Sequence, residues 1–508
     1  MRAKSEVTTA EIAISKIPAG ATVAIGGFVG AGHPELLTAT LEKYFLEHQS
    51  PRDLTLIYAA GQGDAKDRGL NHLAHEGLVK RVIGGHWNLA PKLGKLALDN
   101  KIEAYNFPQG VVCELFREIA AKRPGVFTKV GMESFIDPKN SGGRMNSRTT
   151  EELIERITLD GKEWLWYKSV PIQVALIRAT CADKKGNLTM EREALIGDGL
   201  PIAQAAKNHG GIVIAQVKKL CDEISDPKDV RVPGILVDYI VVSDAHHHEQ
   251  TFAESYNENY VRRCEGSLNV PMMEFSERKI IGRRAAREIQ PGEIVNLGIG
   301  LPESVASVAS EEGKLDEFTL TVEAGPIGGV PAGGLSFGCS TCPEAIIDQP
   351  SMFDYYDGGG LDIAVLGAVE IDAQGSVNVS SFAGRFAGVG GFLNISSNAR
   401  RVVFCCTFTA GGLKVQTRDG KLQIVQEGKH GKFVKELEQV CFHGPSALQR
   451  GQKVLFVTER AVFKLTEQGL ELSELAAGID LQPQVLDLMQ FAPVVGDYRE
   501  MQKDIFEI

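Results

Sequence analysis

The chain has 508 residues, 43% hydrophobic and 23% charged, a balance that fits a folded protein of two or more domains and excludes a disordered or collagen-like chain and a single small module. Fifty-four Lys and Arg against 65 Asp and Glu leave a formal charge of −11, which opposes wrapping a nucleic acid or docking broadly on anionic lipid, so any anionic ligand must be held by local donors. Glycine is in excess at 55 residues, about 11% against a usual ~7%, and points to tight turns or backbone brought close to a ligand.

No apolar run approaches the ~20 residues that a bilayer crossing needs. The first twenty residues hold Lys4, Glu6, Glu11 and Lys16 without an unbroken apolar segment, so no secretory signal is read and a cytoplasmic location is expected. Nine cysteines, an odd number that includes the adjacent Cys405-Cys406, fit reduced thiols, and no structural disulfide is expected.

In chain order, Ile17-Pro-Ala-Gly20-Ala-Thr-Val23-Ala-Ile-Gly26 predicts turn, strand and glycine loop, and Pro34-Glu35-Leu36-Leu37 opens a helix over 35–47 with proline in its first turn. A second strand is expected in Asp53-Leu-Thr-Leu-Ile-Tyr-Ala59-Ala-Gly61, and a third in Val174-Ala-Leu-Ile-Arg-Ala-Thr-Cys-Ala-Asp183-Lys-Lys-Gly186-Asn. All three segments recur in the same order. Ile289-Gln-Pro-Gly292-Glu-Ile-Val295-Asn-Leu-Gly298 leads to Pro302-Glu303-Ser304-Val305 and a helix over 305–312; Glu317-Phe-Thr-Leu-Thr-Val-Glu323-Ala-Gly325 and Asp362-Ile-Ala-Val-Leu-Gly-Ala-Val-Glu-Ile-Asp372-Ala-Gln-Gly375-Ser follow. The repeat predicts two related open α/β halves with largely parallel sheets, the first enlarged by an insertion over about 61–167. The polar stretch 254–265, followed by Val270-Pro271, is the expected linker. It divides the chain into residues 1–270 and 271–508.

In open parallel sheets the ligand crevice lies beyond the carboxyl ends of the strands. Glu323 stands at such an end, after the β-branched run 318–322 and before Ala324-Gly325-Pro326-Ile327-Gly328-Gly329, where the first half has Ala59. A carboxylate present in one copy only points to a task other than folding; on its own the position also fits a solvated glutamate or a helix N-cap partner. With an ordinary pKa it is ionised at pH 7 and can attack an activated acyl carbon without a general base, provided donors meet the oxyanion. Three glycine loops are candidates for those donors: Gly26-Gly27-Phe28 with Gly30 and Gly32, Gly298-Ile-Gly300, and Gly388-Val-Gly390-Gly391-Phe392. There is neither a G-x-G-x-x-G fingerprint nor a P-loop. Consecutive His246-His247-His248 near Asp244 rarely converge on one ion, so no metal site is expected there. Cys339-x-x-Cys342 reads as a buried pair of small residues, and Gln109 lies in the turn-prone Phe107-Pro-Gln109-Gly110.

These residues together resemble the family I coenzyme A transferases, most closely those acting on short-chain monocarboxylates. The resemblance covers nearly the whole chain. It rests on Gly26-Gly27-Phe28, Phe107-Pro108-Gln109-Gly110 and the run Val322-Glu323-Ala324-Gly325-Pro326 to Gly334, and continues through Asp348-Gln349-Pro350, Asp354-Tyr-Tyr-Asp357-Gly-Gly-Gly360, Gly388-Val-Gly390-Gly391-Phe392 and Thr407-Phe-Thr-Ala-Gly-Gly-Leu-Lys414. It implies halves equivalent to fused α and β subunits of NagB/RpiA-like fold, and a homotetramer. It also implies Glu323 as nucleophile, Gln109 and the backbone N–H near Gly390 as oxyanion donors, and Gly298, Gly300, Leu301, Gly388 and Gly391 against coenzyme A. Acyl-CoA and short-chain carboxylates would be the partners, with no nucleic acid, membrane, metal or organic cofactor. The oxoacid-specific relatives carry Ser-Glu-Asn-Gly at the nucleophile, whereas Glu323 is flanked by Val322 and Ala324, which argues against succinyl-CoA:3-oxoacid transfer. The alternatives are a CoA thioester hydrolase on the same scaffold and a non-catalytic ligand sensor; a sensor gives no reason for a carboxylate in one copy only.

Overall fold

The computed structural model describes residues 5–264, 268, 270, 272–382 and 384–507. Two large sheets account for most of it. The first runs in the order Glu6–Thr8, Tyr239–Val242, Ile212–Leu220, Val174–Ala182, Thr22–Ile25, Leu54–Tyr58, Val79–Gly84, Glu103–Asn106, with every neighbour along that path parallel. Its central strands are continuous apolar runs because helices cover both faces. All nine residues of Val174–Ala182 are buried.

The second sheet places Ile294–Leu297 between Thr319–Thr321 and Ile363–Gly367, with Arg401–Cys405 and Lys453–Val457 beyond, all parallel. The three repeated segments thus take the same spatial order in both sheets, each copy's leading strand lying between its other two. The predicted helices form as Glu35–His48 and Ser304–Glu311. Two features depart from a simple duplication. Beyond Lys453–Val457 the second sheet continues with antiparallel Ala461–Thr466 and Gly469–Leu475. The insertion adds two parallel strands, Val79–Gly84 and Glu103–Asn106, and then a separate antiparallel sheet of Gly125–Thr128, Lys162–Lys168 and Ile154–Leu159.

The halves meet through the helix Gln109–Ala120, which packs on Gln349–Asp357 and Phe392–Asn398. Its apolar face, with Val112, Leu115 and Phe116, belongs to one buried cluster that continues through Phe353 and Tyr356 to the far strands of the second sheet. Gly110 makes the approach possible: a Cβ there would fall 2.4 Å from Asn394 Nδ2 and 2.5 Å from Phe353 Cδ1. Residues 265–267, 269 and 271 of the expected linker lie outside the described residues.

The expectation of no disulfide is corrected. Cys181 and Cys221 are bonded, as are Cys264 and Cys342, with Cα–Cα separations of 6.3 and 5.2 Å, within the range a disulfide spans. Cysteine number was legible in the composition, but which thiols adjacent strands and loops would bring together was not. No helix among the described residues is long and apolar enough to cross a membrane.

Candidate active site

A cavity of about 400 Å³ opens between the halves at the carboxyl edge of the second sheet. Asn296, Glu323, Leu366 and Cys405 reach it from the strand ends of that sheet, and Phe28, His86 and Gln109 face it from the first half. Most of its remaining wall is apolar, with Val29, Leu89, Phe337, Val379 and Phe392 among the residues that exclude water.

Glu323 directly follows the strand Thr319–Thr321 and Val322, and it is only 8% exposed. Burial pushes its carboxyl up to about 7, against the opposing pull of its own backbone N–H and the Asn296 amide. The expectation of an ordinary, fully ionised carboxylate is thereby corrected. Desolvation, invisible in a local motif, disfavours the charged form. Behind it the Tyr356 hydroxyl donates to Thr321 Oγ1 at 2.8 Å, and Thr321 Oγ1 donates to the Val295 carbonyl at 3.0 Å. These bonds hold the strand end rigid. On the opposite side the backbone of Gly391 comes so close that a Cβ there would lie 3.3 Å from Glu323 Oε1 and 3.2 Å from Phe353 Cζ.

Gln109 is the first residue of the helix Gln109–Ala120, not part of a turn as its neighbours suggested; Pro108 supplies an extended residue that breaks the preceding chain and starts the helix. Its side chain is 2% exposed, and Nε2 is buried without a partner among the described residues. An orphaned buried donor facing a cavity is what an oxyanion site requires before substrate arrives. Its Oε1 lies 3.6 Å from the position a Cβ would take on Gly390.

The resemblance implied a donor N–H near Gly390, and the N–H of Gly390 itself is engaged within the protein. That group donates to the Gly85 carbonyl at 2.8 Å, and the Gly390 carbonyl accepts the Gln109 N–H at 2.9 Å. The free donor is one residue on: the Gly391 N–H, at the N-cap of helix Phe392–Asn398, meets no protein acceptor among the described residues. Gly388, Gly298 and Leu301 line the cavity, whereas Gly300 does not; its carbonyl accepts a bond from Arg278 at 2.9 Å. In the loop Gly26-Gly27-Phe28 two of the N–H groups are engaged within the protein. The Gly26 and Phe28 N–H groups go to Leu176 and Ala31, leaving Phe28 as an apolar wall.

Two cavity residues carried no sequence signal strong enough to single them out. Asn296, 0% exposed, is the penultimate residue of the strand Ile294–Leu297 and bonds Glu323 through its amide, and the strand-end rule applied to it as much as to Glu323. His86 is held neutral because burial drops its pKa to about 4. The histidine run does not converge: His247 bonds Asp244 at 2.8 Å, while His248 turns inward to Gln216 and Glu193. Among the described residues no three His, Cys, Asp or Glu side chains gather as a metal group. Cys342 is taken by Cys264, so it forms no buried pair with Cys339.

The arrangement is a desolvated carboxylate in a cavity that is also lined by Gln109 and Gly391, each with an unpartnered N–H and each from a different half. The family model described as coenzyme A transferase matches residues 7–243. The chain is 44% identical over 503 residues to the acetate CoA-transferase YdiF of Escherichia coli K12, covering 96% of this chain and 93% of that protein. It is 44% identical over 507 residues to the caffeate CoA-transferase of Acetobacterium woodii, covering 98% and 97%. Its structure is similar to the crystal structure of the acyl-CoA transferase YdiF of E. coli O157:H7 in a thioester complex with CoA, with a TM-score of 0.94 at 41% identity and coverage of 99% and 96%. On this evidence the chain belongs to the coenzyme A transferase family.

Proposed function

We propose that this enzyme moves coenzyme A from a short-chain acyl-CoA to a free carboxylate in a ping-pong cycle through a γ-glutamyl-CoA thioester on Glu323. The observation that carries the reading is the buried Glu323 carboxyl set in the same cavity as the unpartnered Gln109 Nε2. The relatives' names, acetate and caffeate CoA-transferase, and the solved thioester complex support the substrate class and the covalent step.

In the cycle the ionised Glu323 attacks the thioester carbonyl carbon. The oxygen becomes an oxyanion that accepts bonds from Gln109 Nε2 and the Gly391 N–H. The C–S bond then breaks, leaving an acyl–glutamyl anhydride and CoA thiolate. The thiolate attacks the Glu323 carbonyl carbon and expels the first acid as carboxylate. A second carboxylate attacks the resulting thioester, and the same steps run in reverse. Bond exchange conserves the thioester energy, so no metal or organic cofactor enters, and turnover is expected to survive exhaustive chelation. The apolar wall serves the chemistry by excluding water, which would hydrolyse either intermediate. Binding energy from the long CoA arm, far from the reacting carbon, is available to position the thioester against Glu323. We read the enzyme as a cytoplasmic homotetramer, to be checked by light scattering.

The test is incubation with acetyl-CoA and propionate without ATP, followed by chromatography for propionyl-CoA and mass spectrometry of the peptide bearing Glu323. Propionyl-CoA and a hydroxylamine-sensitive adduct on that peptide are expected. Free CoA as the main product would identify a hydrolase instead, and no turnover a sensor.

A further inference from the structure

The two oxyanion donors come from different halves, so their separation depends on how the halves are joined beside the cavity. Two asparagines make that join in opposite directions. Asn106, the last residue of strand Glu103–Asn106, donates through Nδ2 to the carbonyls of Gly84 at 2.9 Å and Gly85 at 2.6 Å, and its Oδ1 accepts the Val389 N–H at 3.1 Å. The same Gly85 carbonyl receives the Gly390 N–H. From the other half Asn394, on helix Phe392–Asn398, accepts the Gly110 N–H at Oδ1 over 3.1 Å; its Nδ2 is fixed by the Asp357 carboxylate at 2.9 and 3.1 Å. Asp357 is anchored in turn by Asn398 at 2.9 Å. Both asparagines are buried, at 2% and 0% exposure.

The groups they hold are the neighbours of the donors: Gly110 follows Gln109, and Val389 precedes Gly391 by two residues. Neither held N–H has a regular partner. Gly110 lies in the first helical turn, where N–H groups are orphaned, and Val389 lies in a loop. Each half therefore satisfies the other half's loose backbone at the point where the site is assembled. Donors act only when placed about 2.7–3.1 Å from the developing oxyanion, so slack at this join would move one donor relative to the other.

Resting on the assignment of Gln109 and Gly391 as donors, we propose that Asn106 and Asn394 are positioning residues, a reciprocal clasp that sets the separation of Gln109 Nε2 from the Gly391 N–H across the two halves. The test compares Asn106→Ala, Asn394→Ala and the double variant with the parent, using the adduct on the Glu323 peptide to count active sites. Turnover per counted site is expected to fall about 10- to 100-fold, as for a donor displaced by an ångström, with adduct formation slowed in step. KM for acyl-CoA is expected to stay within about threefold, and the double variant to be no worse than the poorer single by more than about threefold, because both serve one geometry. A merely structural role would lower the melting temperature and the number of counted sites but leave turnover per site within about twofold of the parent, and that result overturns the proposal. If an alanine variant does not fold, Asn106→Asp carries the test: it keeps the acceptor for Val389 and the side-chain size but loses the donors to Gly84 and Gly85, and the same fall in turnover per site is expected. An adduct in the parent with undiminished variants overturns the clasp alone, whereas no adduct in the parent overturns the reading of Glu323 and the clasp with it.

Discussion

Glu323 is asked to be an anion for attack and yet sits where anions are disfavoured. Its carboxyl is raised to about 7 by burial, so kcat/KM is expected to climb with pH through about 7 and to fall with unit slope below it, a profile that initial rates across pH 5–9 would check. The same shift predicts a stability signature. A folded-state pKa above the ordinary 4.5 means that the folded protein favours the protonated form, so stability is full below about pH 4 and is lost as pH rises through 7. Glu323→Gln, permanently neutral, should therefore match the parent's unfolding free energy at pH 4 and exceed it above pH 8, by at most about 3.4 kcal/mol in chemical denaturation, while transfer drops by roughly four orders of magnitude. Gln109→Ala tests the donor: kcat is expected to fall about 10²- to 10³-fold with KM for acyl-CoA little changed in steady-state assays. Glu323 was legible because the repeat set it against Ala59. Its pKa was not, because desolvation comes from groups such as Gly391 that are distant in the chain.

The helix Gln109–Ala120 determines where chemistry from the first half can enter the second. Local sequence suggested a turn at Pro108-Gln109-Gly110, since proline and glycine both break regular structure. Apolar burial won: Val111, Val112, Leu115 and Phe116 are buried on the inner side, and the helix starts at Gln109 with Gly110 pressed onto Phe353. Phe353, 2% exposed, touches both this contact and the Gly391 approach. Phe353→Ala is expected to cost about 3–5 kcal/mol in chemical denaturation, from the cavity left behind, and to lower kcat by loosening both donors. The loop after strand Arg385–Phe386 shows the limit of motif reading at this scale. Its glycines were visible, but that the Gly390 N–H is engaged while the Gly391 N–H is left free depends on the Gly85 carbonyl, about 300 residues earlier.

At the scale of the whole molecule the halves share their largest buried cluster, which includes Ala24, Phe353 and Phe506, while two smaller clusters lie apart from it and the site sits in the seam. Neither half holds the site alone: Glu323 and Gly391 come from one and Gln109 from the other. Two disulfides add covalent links, one joining Cys264, in the segment between the sheets, to Cys342, beyond the nucleophile's strand. Protein unfolded without reductant is expected to show five reactive thiols, those of Cys113, Cys339, Cys405, Cys406 and Cys441, and nine after reduction; a colorimetric thiol assay decides it.

Periodicity and repetition are local properties, so the chain text alone was enough to read two α/β halves with largely parallel sheets and the asymmetric carboxylate, whereas the order of the strands within each sheet came from the tertiary structure. Long-range contacts were needed for the rest. Burial of Glu323, the release of the Gly391 N–H, the pairing of four cysteines and the crossing of Asn106 and Asn394 each depend on groups brought together from far apart in the chain, and no window of sequence contains both members.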